Sequence, residues 1–440
     1  MNAGRVGSWG RYPPELQQPH PISWRDEVAQ EMESAAAKFD GLLPYGNGRS
    51  YGDSCLAASG HVLAMRSLAR FISADWESGL ITAEAGVTLE EVLALAIPKG
   101  WFLPVTPGTK YVTLGGAIAN DVHGKNHHVR GTFGNHVRRF GLVRSDQPPV
   151  ECSMQDNQNL YRATIGGLGL TGVIDWVELQ LVPITSSRMD VTTVRFGTLQ
   201  EFFELSAELD ETNEYTVAWV DCLAKGPTAG RGVFMAANHA QRGGLKVDTR
   251  KKLAVPATPP ISAINGLTLR MFNSTYFGMH SPTRRREPVD YDPFFYPLDR
   301  ILEWNRIYGP KGFQQYQCVI PEGQAQSATR ELLSAIATSG EGSFLAVLKK
   351  CGNLASPGLL SFPMAGTSLA LDFPQRAAAN GALFRRLDAI VRHSGGRLYP
   401  AKDAHMSGDD FRSFYPDWTK LEKLRDPILR SRFWKRVTEE

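Results

Sequence analysis

Pro44-Tyr45-Gly46-Asn47-Gly48-Arg49-Ser50-Tyr51-Gly52-Asp53 is the stretch on which the fold turns. Glycines at 46, 48 and 52 permit positive φ and close backbone approach, so consecutive N–H groups can curl inward around an anion. A plain surface turn is the competing reading, because glycine clusters also punctuate ordinary loops.

A second stretch, residues 107–121, tips the balance. It reads PGTKYVTLGGAIAND and sets Thr113 before the small residues Gly115, Gly116 and Ala117. A helix starting there would bring its partial positive charge close to an anion, and the two loops together predict a diphosphate held from both sides. Tight packing of a helix on a sheet is the alternative for this element alone. A third string, Gly167-Leu168-Gly169-Leu170-Thr171-Gly172, matches GxGxxG, with Asp190 downstream as an apparent ribose-binding acid. That fingerprint needs a strand before it and a helix after it. Here helix-prone NLYRATI precedes and the alternating run VIDWVELQLV follows, which argues against a nicotinamide-binding Rossmann domain.

Around these loops, residues 61–65, 80–83 and 173–182 read as strands. A helix is predicted over 89–97, opened by a capping box of Thr88 with Glu91. After Pro183 the strand candidates lengthen, to 215–220, 313–320, 343–348 and 367–373, and helices are predicted over 323–338 and 375–393. A sheet with helices on one side buries both, so the class is α+β. Residues 240–260 and 281–293 are rich in charge, proline and turn formers and are expected to be loops near a substrate entrance.

A chain of 440 residues exceeds what one core usually fills, which favours two lobes. The formal charge of +3 is too small for nucleic-acid binding. Five scattered cysteines without CxxC spacing suggest neither a zinc site nor a disulfide framework, and a reducing, cytoplasmic setting is the simpler expectation. No stretch approaches the ~18 uninterrupted apolar residues of a membrane span.

His123 and His127 are four apart, as in a metal-binding HExxH helix. Gly124 disfavours a helix, no carboxylate lies between them, and Lys125 would repel a dication. His123 against a bound cofactor, with Lys125 facing a substrate phosphate or hydroxyl, is the preferred reading. Near the end, Lys402 follows Tyr399 after a Gly395-Gly396 turn. In a buried loop it would stabilise negative charge and orient a hydroxyl; taken alone, it reads as a solvated lysine.

Taken together, GNGRSYGD, PGTKYVTLGGAIANDVHGKNHH, FGNHV, IGGLGLTGVI, EWNRIYGPKGFQQYQCVIP and GGRLYPAKD resemble the decaprenylphosphoryl-β-D-ribose 2'-oxidase family. This family lies within the vanillyl-alcohol-oxidase, or PCMH-type, FAD-binding superfamily. HGKNHH and the LY.AKD element are far more specific than the glycine loops.

The resemblance implies an FAD-binding domain from residues 1–183, completed by 397–440, and an inserted substrate domain over 184–396 built on an antiparallel sheet with helices. It implies FAD contacts from Gly46, Asn47, Gly48, Arg49, Ser50, Tyr51, Gly52, Asp53, Gly108, Thr113, Leu114, Gly115, Gly116, Asn120, Asp121, His123, Val173 and Tyr399. Lys402 and His123 take catalytic places, and Lys125, Trp219, Tyr316, Gln317, Lys349, Ser368 and Ala370 line the substrate side.

The resemblance also implies the chemistry: hydride from C2 of a polyprenylphosphoryl ribose would pass to FAD, and a separate NADH-dependent short-chain reductase would return one from the other face, completing epimerisation to the arabinose form. Tyr51 stands where many relatives carry the histidine that bonds FAD, so the cofactor is expected to be non-covalent. Ser368 and Ala370 replace an asparagine and a cysteine of mycobacterial members, which alters the pocket wall. A soluble aldonolactone or alditol oxidase using O2 is the alternative. Peripheral contact with the inner membrane through Arg284–Arg286 or the basic tail competes with plain solvated charge.

Overall fold

The computed structural model describes residues 4–439. Its N-terminal part is organised by the alternating strand Val173–Gln180, which pairs antiparallel with both Leu80–Glu84 and Val137–Val143. Phe71–Asp75 and Val150–Ser153 complete a five-stranded sheet as its edges. The helix Leu89–Ala96 begins at the expected capping box, with Thr88 Oγ1 accepting from the Glu91 amide and Glu91 from the Thr88 amide. A small parallel sheet of Gln18–Pro21, His61–Ala64 and Pro44–Tyr45 carries the chain into the first glycine loop.

The second sheet is antiparallel and eight-stranded, in the order Arg285–Asp290, Arg188–Phe196, Gly232–His239, Tyr215–Val220, Ala346–Cys351, Gly366–Pro374, Phe313–Pro321 and Arg397–Leu398. Side chains alternate between its faces. Tyr316, Cys318, Leu348, Leu369 and Leu371 join one core cluster with Leu332, Leu387 and Val391 of the helices Ala325–Ser339 and Ala377–His393. The opposite face carries a row of cross-strand partners, Gln317, Ala370, Val347 and Trp219. That face looks toward the glycine loops.

After Leu398 the chain returns to the N-terminal part. Leu429 bridges Leu42 and Ser431 bridges Ala57, and the short helix Arg432–Thr438 buries Phe433, Trp434 and Val437. Arg436 closes the return by donating to Asp53 and to Asp403, at 2.9 Å each.

Two local expectations change, at 281–293 and 343–348, and the loop expected at 240–260 forms with one short strand in it. Residues 281–293 are not a loop throughout: Arg285–Asp290 is an edge strand on Arg188–Thr193. Its RREPVD composition conceals this because charge and proline are what exposed sheet edges carry. Residues 240–260 are irregular except for Leu253–Ala254, which pairs with Ile301–Leu302. The strand predicted over 343–348 forms at Ala346–Cys351, because Ser343 Oγ accepts from the amides of Leu345 and Asp372 and holds the preceding turn. The GLGLTG string does have a helix, Gln158–Thr164, before it and the strand Val173–Gln180 after it.

Candidate active site

Between the glycine loops and the free face of the eight-stranded sheet lies a cavity of ≈ 330 Å³, within the range of roughly 300–1,000 Å³ usual for ligand sites. The loop 46–51 forms one wall and is pinned from behind. Ser50 O accepts from Trp9 N at 2.8 Å, Tyr51 N donates to Ala401 O at 3.0 Å, and Asn47 Nδ2 donates to Tyr111 O at 2.8 Å. Among the described residues, none of the amides from Gly46 to Ser50 has a protein acceptor. Five consecutive free donors beside a cavity form an anion cradle.

Two glycines make this geometry possible. A Cβ on Gly46 would collide with Thr113 Oγ1, and Gly48 has φ +58° with the Tyr45 hydroxyl where its side chain would project. From the other wall, Thr113 caps the helix Leu114–Ala119 by accepting from Gly116 N at 3.2 Å, and Gly115 packs on Ala85. Gly108 opens into free space. The Arg49 guanidinium lies 4.2 Å from the Trp9 ring centroid, and its Nε is buried without a partner.

The far end is cationic. Lys402 Nζ sits 3.8 Å from the Tyr51 ring centroid. Burial lowers its pKa to about 7, opposed by Asp372 and reinforced by Lys349. Burial likewise lowers Lys349 to about 8, and its ammonium donates to Gly124 O at 3.2 Å. Gln317 Nε2 meets His123 Nε2 at 3.1 Å. Burial, then Lys349, holds the His123 pKa well below its ordinary value, so the ring is neutral. With Gln317 donating, the imidazole proton belongs on Nδ1, which has no protein partner. The Tyr399 hydroxyl donates to Asn120 O at 2.8 Å, and its ring stacks on Phe362.

Of the residues singled out in the sequence, Gly46 to Tyr51, Gly108, Thr113, Gly115, Gly116, Asn120, His123, Gln317, Lys349, Ser368, Ala370, Tyr399 and Lys402 all line this cavity. Others do not. Tyr316 faces the helices, where its hydroxyl donates to Asp388 at 3.0 Å, because neighbouring strand residues point oppositely. Trp219 shares the cavity-side row but lies two strands beyond Ala370, with its indole N–H on Phe344 O. Lys125 turns its ammonium to the Phe294 and Phe295 carbonyls.

Five residues expected at the cofactor instead support its walls. Gly52 admits the Asp403 carbonyl, and Asp53 binds Arg436. Leu114 and Val173 belong to core clusters. Asp121 accepts from Ser356 and Ser361.

Sequence reading missed Gln315, Val347 and Asp372. Gln315 and Val347 line the cavity. Gln315 Nε2 donates to Asp372 Oδ1 at 2.6 Å, and Asp372 Oδ2 has no partner. Period-two spacing from Gln317 and from Ala370 carries the signal for Gln315 and Asp372.

An FAD binding domain model matches residues 23–153. With the fold and cavity described above, this defines the class: an FAD-dependent oxidoreductase. The residues present fit the cofactor, since free amides and a Gly46 without room for a Cβ line one wall, the Thr113-capped helix start faces them, and the Tyr399 ring, backed by Phe362, lines the cavity beyond. The chain is 34% identical over 438 residues to the decaprenylphosphoryl-β-D-ribose oxidase of Mycolicibacterium smegmatis, covering 96% of this chain and 94% of that one. It belongs to that oxidase family. An uncharacterised Streptomyces coelicolor protein is 32% identical over 78% of this chain and 96% of its own. Mouse L-gulonolactone oxidase is 29% identical, over only 36% of this chain and 35% of its own length.

Proposed function

We propose that this enzyme oxidises the C2 hydroxyl of a polyprenylphosphoryl-β-D-ribose to the 2-keto sugar, the first half of an epimerisation toward the arabinose form. One observation carries the reading: a single cavity joins the amide-lined loop at Gly46–Ser50 to a buried cationic end at Lys402 and Lys349. The full-length likeness to an oxidase named for that substrate spans both ends. The likeness to the lactone oxidase covers only 36% of the chain, so a soluble lactone or alditol oxidase is the weaker reading.

In this proposal the chain divides into an FAD lobe, 1–183 with 397–440, and an inserted substrate lobe, 184–396. FAD, bound without a covalent link, supplies the hydride acceptor. Gly46, Asn47, Gly48, Arg49 and Ser50 hold its diphosphate through backbone N–H groups, with Thr113, Gly115, Gly116 and Asn120 opposite. Tyr51 cannot make the histidyl bond of other relatives.

Lys402 binds the reacting hydroxyl and offsets negative charge that develops beside it. With a pKa of about 7, its Nζ can also hold or release a proton at neutral pH. His123, neutral and oriented by Gln317, lines the cavity with a buried Nδ1–H that has no protein partner. Lys349, Gln317 and Ser368 bind sugar and phosphate oxygens, and Ala370 widens the wall. An NADH-dependent reductase completes the epimerisation, and the lipid-linked substrate brings the enzyme to a membrane surface.

Anaerobic titration with polyprenylphosphoryl pentoses tests the substrate. Bleaching of the flavin absorbance by the ribose form is expected. Retained FAD that does not bleach, or rapid peroxide formation from free lactones, would overturn the assignment.

A further inference from the structure

The surface around the cavity mouth has a composition that catalysis leaves unused. Of the fifteen exposed large apolar side chains among the described residues, eight fall between Leu253 and Leu302. Soluble proteins usually scatter such residues singly, and a concentration marks a contact surface.

Three observations tie it to the cavity. Ile301 and Leu302 line the cavity and are also exposed. Leu253 pairs with Ile301 through the backbone and is 73% exposed, so apolar surface continues from the lining outward. The same segment then crosses residues 301–309, with Arg306 donating to the Val255 and Pro256 carbonyls and Ala263 N donating to Ile307 O. It ends in the helix Gly266–Gly278, which buries only Leu269 and Asn273. That helix turns Leu267 (69% exposed) and Met271 (63%) to solvent one turn apart, between Ile261 and Met279, both 77% exposed.

Charge selects the partner. Arg250 is held by Asp248 and Lys252 by Glu90, which leaves exposed Lys251, Arg270 and Arg300 without a carboxylate partner among the described residues. The Arg284–Arg286 run is different: Glu208, Glu287 and Asp190 neutralise it.

We propose that Leu253, Ile261, Leu267, Met271 and Met279, with Lys251, Arg270 and Arg300 among them, dock the enzyme on a bilayer that carries anionic headgroups. The cavity mouth then faces the leaflet. An apolar surface sinking into the headgroup boundary, assisted by cations, is the physics of peripheral attachment. The inference rests on the lipid-linked substrate proposed above, whose tail stays in the leaflet while its sugar enters the mouth.

Flotation of the full FAD-loaded protein with sugar-free vesicles of phosphatidylglycerol and phosphatidylcholine tests it. Wild type is expected to float at low salt and more weakly at high salt or on phosphatidylcholine alone. Leu267→Glu with Met271→Glu should lower partitioning by roughly tenfold or more, at unchanged flavin content and melting temperature. Lys251→Glu with Arg270→Glu should remove the salt-sensitive part, and decides the matter if the first variant fails to fold.

A wild type that does not float at low salt, or paired variants that float like wild type, overturns the proposal. So does a wild-type dimer that Leu267→Glu with Met271→Glu dissociates, since a second copy then covers the patch. A wild type that does not float yet bleaches with the lipid-linked ribose sinks the surface alone. Flotation without bleaching sinks the substrate reading alone.

Discussion

The ammonium of Lys402 lies 3.8 Å from the centroid of the Tyr51 ring, and the Tyr51 amide donates to the carbonyl of Ala401 at 3.0 Å. The glycine loop and the loop that returns from the eight-stranded sheet are thus fastened at the point where charge meets the cavity. A cation held over an aromatic face keeps its position at modest cost. Lys402→Met preserves length and removes charge. It should keep FAD bound and slow flavin reduction by roughly 10²–10³-fold, read by anaerobic stopped flow. An unchanged rate constant would take Lys402 out of the chemistry.

The pH profile follows from the same side chain. Burial lowers the Lys402 pKa to about 7, with Asp372 opposing and Lys349 adding to the drop. If reduction needs the ammonium, the rate falls as pH rises through about 7. Asp372→Asn removes the carboxylate that favours the charged form, so the fall should move to lower pH while FAD content stays constant. Rates that stay flat between about pH 6 and 9 in both proteins would refute this use of the charge.

Stability without cofactor gives an independent reading. The folded pKa of Lys402 is below its unfolded value of ~10.4, so the unfolded chain binds more protons across the interval between them. Stability must then rise with pH over that window, and the burial penalty is fully present below about 7. Lys402→Met should therefore raise the melting temperature of the apoprotein most at or below neutral pH. The gain should fade as pH approaches ~10, and a constant gain would assign it to packing instead.

How far the sequence could be read is clear from neighbouring residues. Thr88 and Glu91 announce their helix because a capping box is a local device. The resemblance places Gln317 and Tyr316 both on the substrate side, yet a strand sends adjacent side chains to opposite faces, and only Gln317 reaches the cavity. Asn265 and Thr268 cap the helix Gly266–Gly278 by the same kind of motif. No amphipathic periodicity marks this helix, because its outer face carries Leu267 and Met271 where a soluble helix shows polar residues. The pairing of Asp53 with Arg436 spans 383 positions, and no local pattern encodes it.

Gly46 and Gly48 should resist substitution for different reasons. Alanine at 46 pushes its methyl into Thr113 Oγ1, the cap of the facing helix. Alanine at 48 meets the Tyr45 hydroxyl at φ +58°, a conformation that costs about 1 kcal/mol or more outside glycine. Either change displaces free amides from the cradle. FAD affinity should drop by about tenfold or more, as each 1.4 kcal/mol is tenfold, measured by flavin fluorescence on dilution. Unaltered affinity in both variants would mean that the diphosphate lies elsewhere.

Arg436 offers the severest test of how the tail completes the site. Its guanidinium donates to Asp53, beside the glycine loop, and to Asp403, next to Lys402, while both carboxylates are almost wholly buried. Removing the cation leaves two buried acids facing each other, and breaking such a pair typically costs about 3–5 kcal/mol. Arg436→Ala should lower the denaturation midpoint accordingly and loosen the Lys402 loop, so residual holoenzyme reduces more slowly than its flavin content predicts. Asp53→Asn with Arg436→Met removes the cation together with one of its two carboxylates and should recover part of the stability but not the rate, since Asp403 then keeps only its local partners, the amides of His405 and Met406, and loses its tie to the tail. Stability equal to wild type in Arg436→Ala would show that the return of the tail is an accessory contact.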